Sequence, residues 1–251
     1  LQWHKQLFPE GYTFFNPIIG GQLRGDEPMQ VVSGRIDKPT VHFEAPNRDV
    51  LESELDVFIR WFNDSREDPA LDPLLRAAIT HFWFVTIHPL DDGNGRITRL
   101  LTDLALAQAE RQSVRFYAMS VAILANRKSY YEILEQSQKG GLDITAWLMW
   151  FLNTLGEAFT NVLEEIDQTV FKTNFWRNVD QTRLSSEQVK VLNRMLDGDF
   201  DQGSNTSQDH KVAKVSKPTA SRHLAALVEL GCLVKSDAGG RSTRYKLALL
   251  S

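Results

Sequence analysis

Cysteine is nearly absent. The 251 residues contain one, Cys232, so no intrachain disulfide can form and no cysteine cage for a metal is available. Such sparing use suits a reducing, cytoplasmic setting. Long apolar runs are missing too. The longest, residues 146–152, falls far short of the ~20 residues that span a bilayer and reads as part of a core helix, so no membrane partner is expected. No secretory signal, internal repeat or low-complexity tract is visible. The chain opens on Leu rather than Met, and its native start is expected upstream.

What is present is ordinary in amount and uneven in placement. Hydrophobic residues make up 42%, enough for sizeable cores, and the net charge is −4. Residues 210–251 hold eight Lys/Arg and two Asp/Glu, a balance of +6, which leaves −10 for the rest. Charge asymmetry of this kind points to two domains with different partners.

Residues 1–50 lack helical periodicity. Two β-rich runs stand out, 29–33 and 40–44, with Gly34 and Pro39 between them to turn the chain, so a hairpin is expected over about 29–46. Helices dominate afterwards. Leu51, Leu55, Phe58, Ile59 and Phe62 recur at helical spacing, and 63–69 is a polar loop. Residues 71–87 are apolar nearly all round, as a central buried helix would be. Further helices are expected over 96–111, 117–138, 143–165 and 166–179. A boundary falls near 180–184, giving domains 1–180 and 184–251. Beyond it Leu184-Ser-Ser-Glu-Gln opens a helix with a capping pattern, and 197–207 is a loop.

Chemistry concentrates in His88-Pro-Leu-Asp-Asp-Gly-Asn-Gly-Arg-Ile-Thr-Arg99. A helix delivers His88 at its end, a tight loop follows, and a second helix begins near Arg96. A helix N-terminus offers unpaired N–H groups and partial positive charge to an anion. Gly93 and Gly95 let the backbone approach closely, and Asn94 tolerates left-handed geometry and adds an amide donor. Arg96 and Arg99, three apart, can clamp a polyphosphate. Asp92 is a hard oxygen ligand suited to Mg²⁺. His88 titrates near neutrality and can take a proton from a hydroxyl. A Walker A loop is excluded, because no Gly-Lys-Ser/Thr follows. An EF-hand is excluded by Arg96 and Ile97 where oxygen ligands would be needed.

The segment resembles the Fic motif, His-Pro-Phe-any-Asp/Glu-Gly-Asn-Gly-Arg-any-any-Arg, with Leu90 in place of Phe. That Phe is a core anchor in the family, so Leu90 should keep the burial. The likeness extends over about residues 7–161. It implies a mainly α Fic-type helical bundle with a β-hairpin flap. It also implies transfer of AMP from ATP to a Ser, Thr or Tyr hydroxyl of a target protein. By that resemblance His88 is the base, Asp92 holds Mg²⁺, Gly93, Asn94 and Gly95 cradle phosphates, and Arg96 and Arg99 neutralise the leaving pyrophosphate. The flap that pairs with the target backbone would include Val41, His42, Phe43 and Glu44 by strand addition. By itself His42 reads as a solvated edge residue. Arg127-Lys-Ser-Tyr-Tyr131 resembles the stretch that borders adenine, which makes Tyr130 and Tyr131 candidate stacking rings. The family's inhibitory pattern, Ser/Thr, three residues, Glu, Gly/Asn, is not found. Thr160-Asn-Val-Leu-Glu164 comes nearest but is followed by Glu165, so such a segment is expected upstream of Leu1, or control comes from elsewhere.

Residues 184–251 resemble a small α+β winged helix-turn-helix, a pairing that marks the bacterial type of the family. Ser216 can cap a helix whose inward stripe is Ala220, Leu224, Leu227 and Val228, leaving Lys217, Thr219, Ser221 and Arg222 outward. A strand, turn and strand then form the wing, carrying Arg241 and Arg244. Its positive balance suits phosphates, so DNA is an expected partner. A second copy of the chain is another. Two alternatives remain open: a DNA-binding regulator whose Fic portion senses nucleotide, and a Fic enzyme of altered activity, removing AMP or transferring UMP.

Overall fold

The computed structural model describes residues 1–9, 19–35, 38–110, 117–200, 203–236 and 243–248. They divide into two units, Leu1–Asn161 and Val162–Ser251.

The first unit begins with a short helix, α1 (Gln2–Leu7), where the sequence had offered no periodicity. An antiparallel hairpin follows, β1 (Gln30–Arg35) and β2 (Lys38–Glu44). Its register slips between Val31 and Val32, which places Val32 opposite Val41. Helix α2 (Arg48–Asp64) turns Leu51, Phe58 and Phe62 inward. Helix α3 (Pro73–Ile87) is capped by Asp72, whose carboxylate accepts from the Leu74 and Leu75 N–H groups at 2.8 and 3.2 Å, with Pro73 preset at its first position. Residues on several faces of α3 are buried, including Ala77, Ala78, His81, Phe84 and Ile87, as expected for a central helix. It packs against α4 (Asn94–Glu110).

Two helix expectations are corrected. Residues 117–138 are not one helix: α5 (Met119–Ala125) and α6 (Arg127–Gln138) break at Asn126, whose amide donates to Ala122 O and to Glu157 Oε2 at 3.2 and 2.6 Å. Conversely, 143–165 and 166–179 are joined in a single helix, α7 (Thr145–Asn178). No Gly or Pro lies between Glu157 and Asn178 to stop it. The division between the units falls within α7 rather than near 180–184. The physical reason is that Phe175, late in α7, belongs to the core of the second unit.

The heart of the first unit is aromatic. His81 is fully buried, bonded to Thr102 Oγ1 at 2.9 Å and to the Tyr130 hydroxyl at 3.0 Å. Trp147 and Phe151 pack beside it, and the Trp147 indole donates to Ala78 O at 2.9 Å. Burial pushes the His81 imidazole down to about 3, so it is a neutral structural histidine.

The second unit holds the end of α7 and three helices, α8 (Ser186–Leu196), α9 (Thr206–Ala213) and α10 (Lys217–Glu229), followed by the antiparallel pair β3 (Leu233–Lys235) and β4 (Tyr245–Leu247). The capping pattern at Ser185 is formed: its hydroxyl accepts from Gln188 N, and the Gln188 side chain accepts from Ser185 N. Val191, Leu192, Leu224, Leu227, Cys232 and Leu233 fill the core with Phe175. The chain reaches β3 through Gly231, whose φ of +73° a side chain would resist. Among the described residues no helix is long and apolar enough to cross a membrane.

Candidate active site

The loop between α3 and α4 is closed by its own residues. Leu90, 2% exposed, anchors it in the core, keeping the burial expected of the larger Phe. Asn94 braces it: Leu90 N donates to Asn94 Oδ1 at 2.9 Å, and Asn94 Nδ2 donates back to Leu90 O at 2.6 Å. This corrects the sequence reading of Asn94. Its side chain is buried and engaged within the loop, and its backbone starts α4 in helical geometry, so only its main-chain N–H remains for a ligand. The left-handed positions are His88, at φ +49°, and Gly93, at φ +82°. Gly93 is required twice over, because a Cβ there would also sit 2.8 Å from Phe8 Cε2.

His88 caps the C-terminus of α3. Its Nδ1 donates to Val85 O at 3.1 Å, which fixes the tautomer and leaves Nε2 as the acceptor. Burial pushes its pKa down and the Arg24 charge adds to this, while the Val85 bond works in the opposite direction. A neutral imidazole with an accepting Nε2 is the form a base needs.

Three residues that sequence reasoning missed hold this loop from outside. Arg24, 2% exposed, donates from Nε to His88 O at 3.0 Å and from a terminal nitrogen to Pro46 O, while its main-chain N–H donates to Pro89 O at 3.0 Å. His4 accepts from Gly21 N at 3.0 Å and donates from Nε2 to Asp92 O at 3.1 Å. Phe8 lies against His4 and under Gly93. The only available signal was the i, i+4 spacing of His4 and Phe8 and a lone arginine in a glycine-rich stretch.

The opposite wall of the loop is cationic. The first N–H groups of α4 have no intrahelical acceptor. The Arg96 guanidinium lies over the Phe8 ring at 4.5 Å and pairs with Asp92 at 3.5 Å, both groups being exposed. Arg99 is half-buried beside Gly95, with no ion pair or hydrogen bond among the described residues. The exposed Asp92 carboxylate accepts from Gly93 N at 2.6 Å through one oxygen. Among the described residues no cluster of three His, Cys, Asp or Glu side chains could hold a metal unaided. A single carboxylate fits Mg²⁺ bound chiefly by phosphate oxygens and water.

The hairpin stands on this loop. Arg24 ties its end at Pro46, and Ala45 N donates to Met29 O at 2.9 Å to close its base. Val41 is 43% exposed, Phe43 is half-buried, and Glu44 accepts from Gln30 Nε2 at 2.8 Å. His42 is not merely a solvated edge residue. It bonds Ser33 Oγ and Glu135 Oε2, each at 2.6 Å, and so ties the hairpin to α6.

The two candidate stacking tyrosines part company. Tyr130 is 6% exposed and locked to His81, so it belongs to the core; burial also pushes its phenol pKa up. It is not available to a base. Tyr131 is 51% exposed, with Arg127 over its ring at 5.7 Å.

In the second unit Lys217, Ser221 and Arg222 are exposed at the start of α10. Thr219 is engaged in the cap with Ser216, Oγ to Oγ at 2.9 Å. Arg244 is half-buried and donates to Gly203 O and Gln208 Oε1 at 3.2 and 3.4 Å, so its guanidinium anchors β4 rather than reaching freely outward. Arg241 and the turn of the expected wing lie outside the described residues.

Residues 1–106 match the Fic/DOC family. The chain is 37% identical over 142 residues to the protein adenylyltransferase fic-1 of Caenorhabditis briggsae, covering 57% of this chain and 24% of that protein. It is 32% identical over 142 residues to the protein adenylyltransferase Fic of Drosophila melanogaster, covering 57% and 25%. The chain thus spans about a quarter of the length of these curated relatives. The crystal structure of a Fic family protein from Desulfovibrio desulfuricans G20 aligns with a TM-score of 0.49 and 20% identity, covering 100% of this chain and 68% of that one.

Proposed function

We propose that the Fic/DOC family domain of residues 1–106, with the helices that follow it, transfers AMP from ATP to a hydroxyl side chain of a protein. The observation that carries this reading is one segment holding a half-buried imidazole whose Nδ1 is engaged and whose Nε2 is left to accept, an exposed carboxylate, and, in the first turns of α4, the Arg99 guanidinium, which has no ion pair among the described residues. A site that only sensed nucleotide would gain nothing from such a base. The relatives' names, protein adenylyltransferase, support the same chemistry.

The triphosphate lies along the start of α4, where main-chain N–H groups of Asn94, Gly95 and Arg96 meet its oxygens. Arg96 and Arg99 neutralise the β- and γ-phosphates. Asp92 holds Mg²⁺, which supplies further charge neutralisation when bound. The hairpin takes the target backbone by strand addition, with Val41, His42, Phe43 and Glu44 on β2. The target hydroxyl oxygen attacks the α-phosphorus, its proton passes to His88 Nε2, and the bond from the α-phosphorus to the bridging oxygen breaks. Pyrophosphate leaves with the bonding pair. Of the two tyrosines, exposed Tyr131 is the one that borders the adenine in this reading.

We further infer that the second unit is a winged helix-turn-helix that binds duplex DNA through the start of α10. Exposed Lys217, Ser221 and Arg222 and the positive balance of the C-terminal 42 residues support it.

The test of the transfer reading is isotopic. The chain is incubated with α-labelled or γ-labelled ATP, Mg²⁺ and a soluble cell extract as the source of targets. Protein-bound label from the α position alone, lost in His88→Ala, is expected. Label retained from the γ position would mean phosphoryl transfer and would overturn the proposal.

A further inference from the structure

A buried arginine needs a reason. Removing a guanidinium from water is costly unless it is paired and fully bonded. Among the described residues no carboxylate is in hydrogen-bond contact with Arg24; its side-chain partners there are the carbonyl oxygens of His88 and Pro46. Burial, with Arg48 nearby, pushes its pKa down, and Asp91 offsets this in part; Asp91 also accepts from Gly25 N at 3.4 Å. A guanidinium fork can reach both carbonyls at once, which a lysine or a single-donor side chain cannot.

The two carbonyls that Arg24 joins are informative. One belongs to His88, which sits at φ +49°, a backbone state that a non-glycine residue holds only when its surroundings impose it. The other belongs to Pro46, directly beyond β2. The His88 ring is fixed separately by Val85 O. The imidazole is therefore held at both ends, ring by Val85 and backbone by Arg24, and the backbone anchor is shared with the hairpin.

We propose that Arg24 is a positioning residue for the transfer reaction: it fixes the His88 peptide and the base of the hairpin as one unit, so that Nε2 faces a hydroxyl carried by a hairpin-bound target. This rests on the transfer reading given above. Arg24 has a second effect in the same direction. Burial is the main cause that lowers the His88 pKa, and the Arg24 charge adds to it in the same direction. Asp91 and Arg48 act on Arg24 rather than on His88, and Asp92 and Arg96 pair with each other further along the loop.

The experiment compares wild type, Arg24→Lys and Arg24→Met, with His88→Ala to assign the His88 signal. NMR of ring-labelled histidines gives the His88 titration midpoint, and transfer kinetics give kcat and the KM for ATP. In Arg24→Met the His88 midpoint rises toward the ordinary imidazole value and the acid limb of the rate profile moves up with it. Arg24→Lys keeps the charge but cannot span both carbonyls. Its kcat falls about ten- to hundredfold, as small displacements of a reacting group do, with the KM for ATP unchanged. If Arg24→Met does not fold, the kinetics of Arg24→Lys decide alone. Folded variants with wild-type kcat and an unmoved His88 midpoint would overturn the proposal. A risen midpoint in a chain whose wild type attaches no AMP would instead remove the transfer reading, while the link from Arg24 to His88 stands.

Discussion

Replacing Gly93 by alanine tests the loop where its geometry is most demanding. At φ +82° an L-residue is strained, by about 1–2 kcal/mol. The added Cβ would also lie 2.8 Å from Phe8 Cε2, closer than carbon atoms pack, so the ring must move. Overpacking of this kind costs about 1–3 kcal/mol. Together the two effects place the loss at roughly 2–5 kcal/mol. Phe8 also carries the Arg96 guanidinium, so displacing it disturbs the phosphate wall and lowers transfer. Chemical denaturation followed by tryptophan fluorescence is a suitable assay, because five of the six tryptophans lie in the first unit. Phe8→Leu should recover part of the loss in the Gly93→Ala background, with a coupling of about 0.5–3 kcal/mol, because it removes the clash and leaves the strain. Strictly additive effects, or Gly93→Ala within about 0.5 kcal/mol of wild type, would refute the packing of α1 under the loop.

Four further outcomes are expected. His88→Ala abolishes transfer but leaves ATP affinity by calorimetry nearly unchanged; an equal loss of affinity would make His88 structural. His42→Ala weakens the tie between hairpin and α6 and raises the KM for the protein target about two- to fivefold, with the KM for ATP unchanged and part of the effect restored by His42→Gln; a change in the KM for ATP alone would count against the flap role. Stability falls with acidity between pH 6.5 and about 3, by up to about 1.4 kcal/mol per pH unit, because the unfolded chain protonates His81 while the folded one resists; His81→Gln should flatten that slope, and an unchanged slope would show that His81 does not set it. Fluorescence anisotropy with mixed-sequence duplex should show binding that weakens steeply with salt, and Lys217→Ala with Arg222→Ala should lower the logarithmic salt slope by about 0.9 for each lost contact; no binding at low salt would remove the DNA reading.

The loop of residues 88–99 was legible as a helix–turn–helix junction because its information is local. Glycine spacing, a helix end and a helix start all fall within residues 88–99, so the turn can be read from neighbouring positions alone. Its supports were not legible. Arg24 meets His88 across 64 positions and His4 meets Asp92 across 88, and neither lies in a segment long enough to show a period. Helix α1 has six residues, under two turns, too few to display an amphipathic stripe. Tyr130 and Tyr131 look equivalent in sequence, yet on α6 one is buried in the His81 cluster and the other is half-exposed to solvent. Asn94 was read for its tolerance of left-handed geometry, whereas its amide complements the Leu90 peptide and the left-handed turn falls to Gly93. Helix α7 was read as two helices, 143–165 and 166–179, although no Gly or Pro lies between Glu157 and Asn178.

The central claim is that His88 takes a proton while the target hydroxyl attacks the α-phosphorus directly. Its most direct test is stereochemical. Wild-type protein is given an ATP analogue of known configuration, chiral through sulfur at the α-phosphorus, and the configuration of the protein-bound thio-AMP is determined. A single in-line displacement inverts the phosphorus, and inversion is the predicted result. Retention would mean two displacements through a nucleotide held covalently on the enzyme, with His88 the nearest nucleophile, and would contradict its role as base.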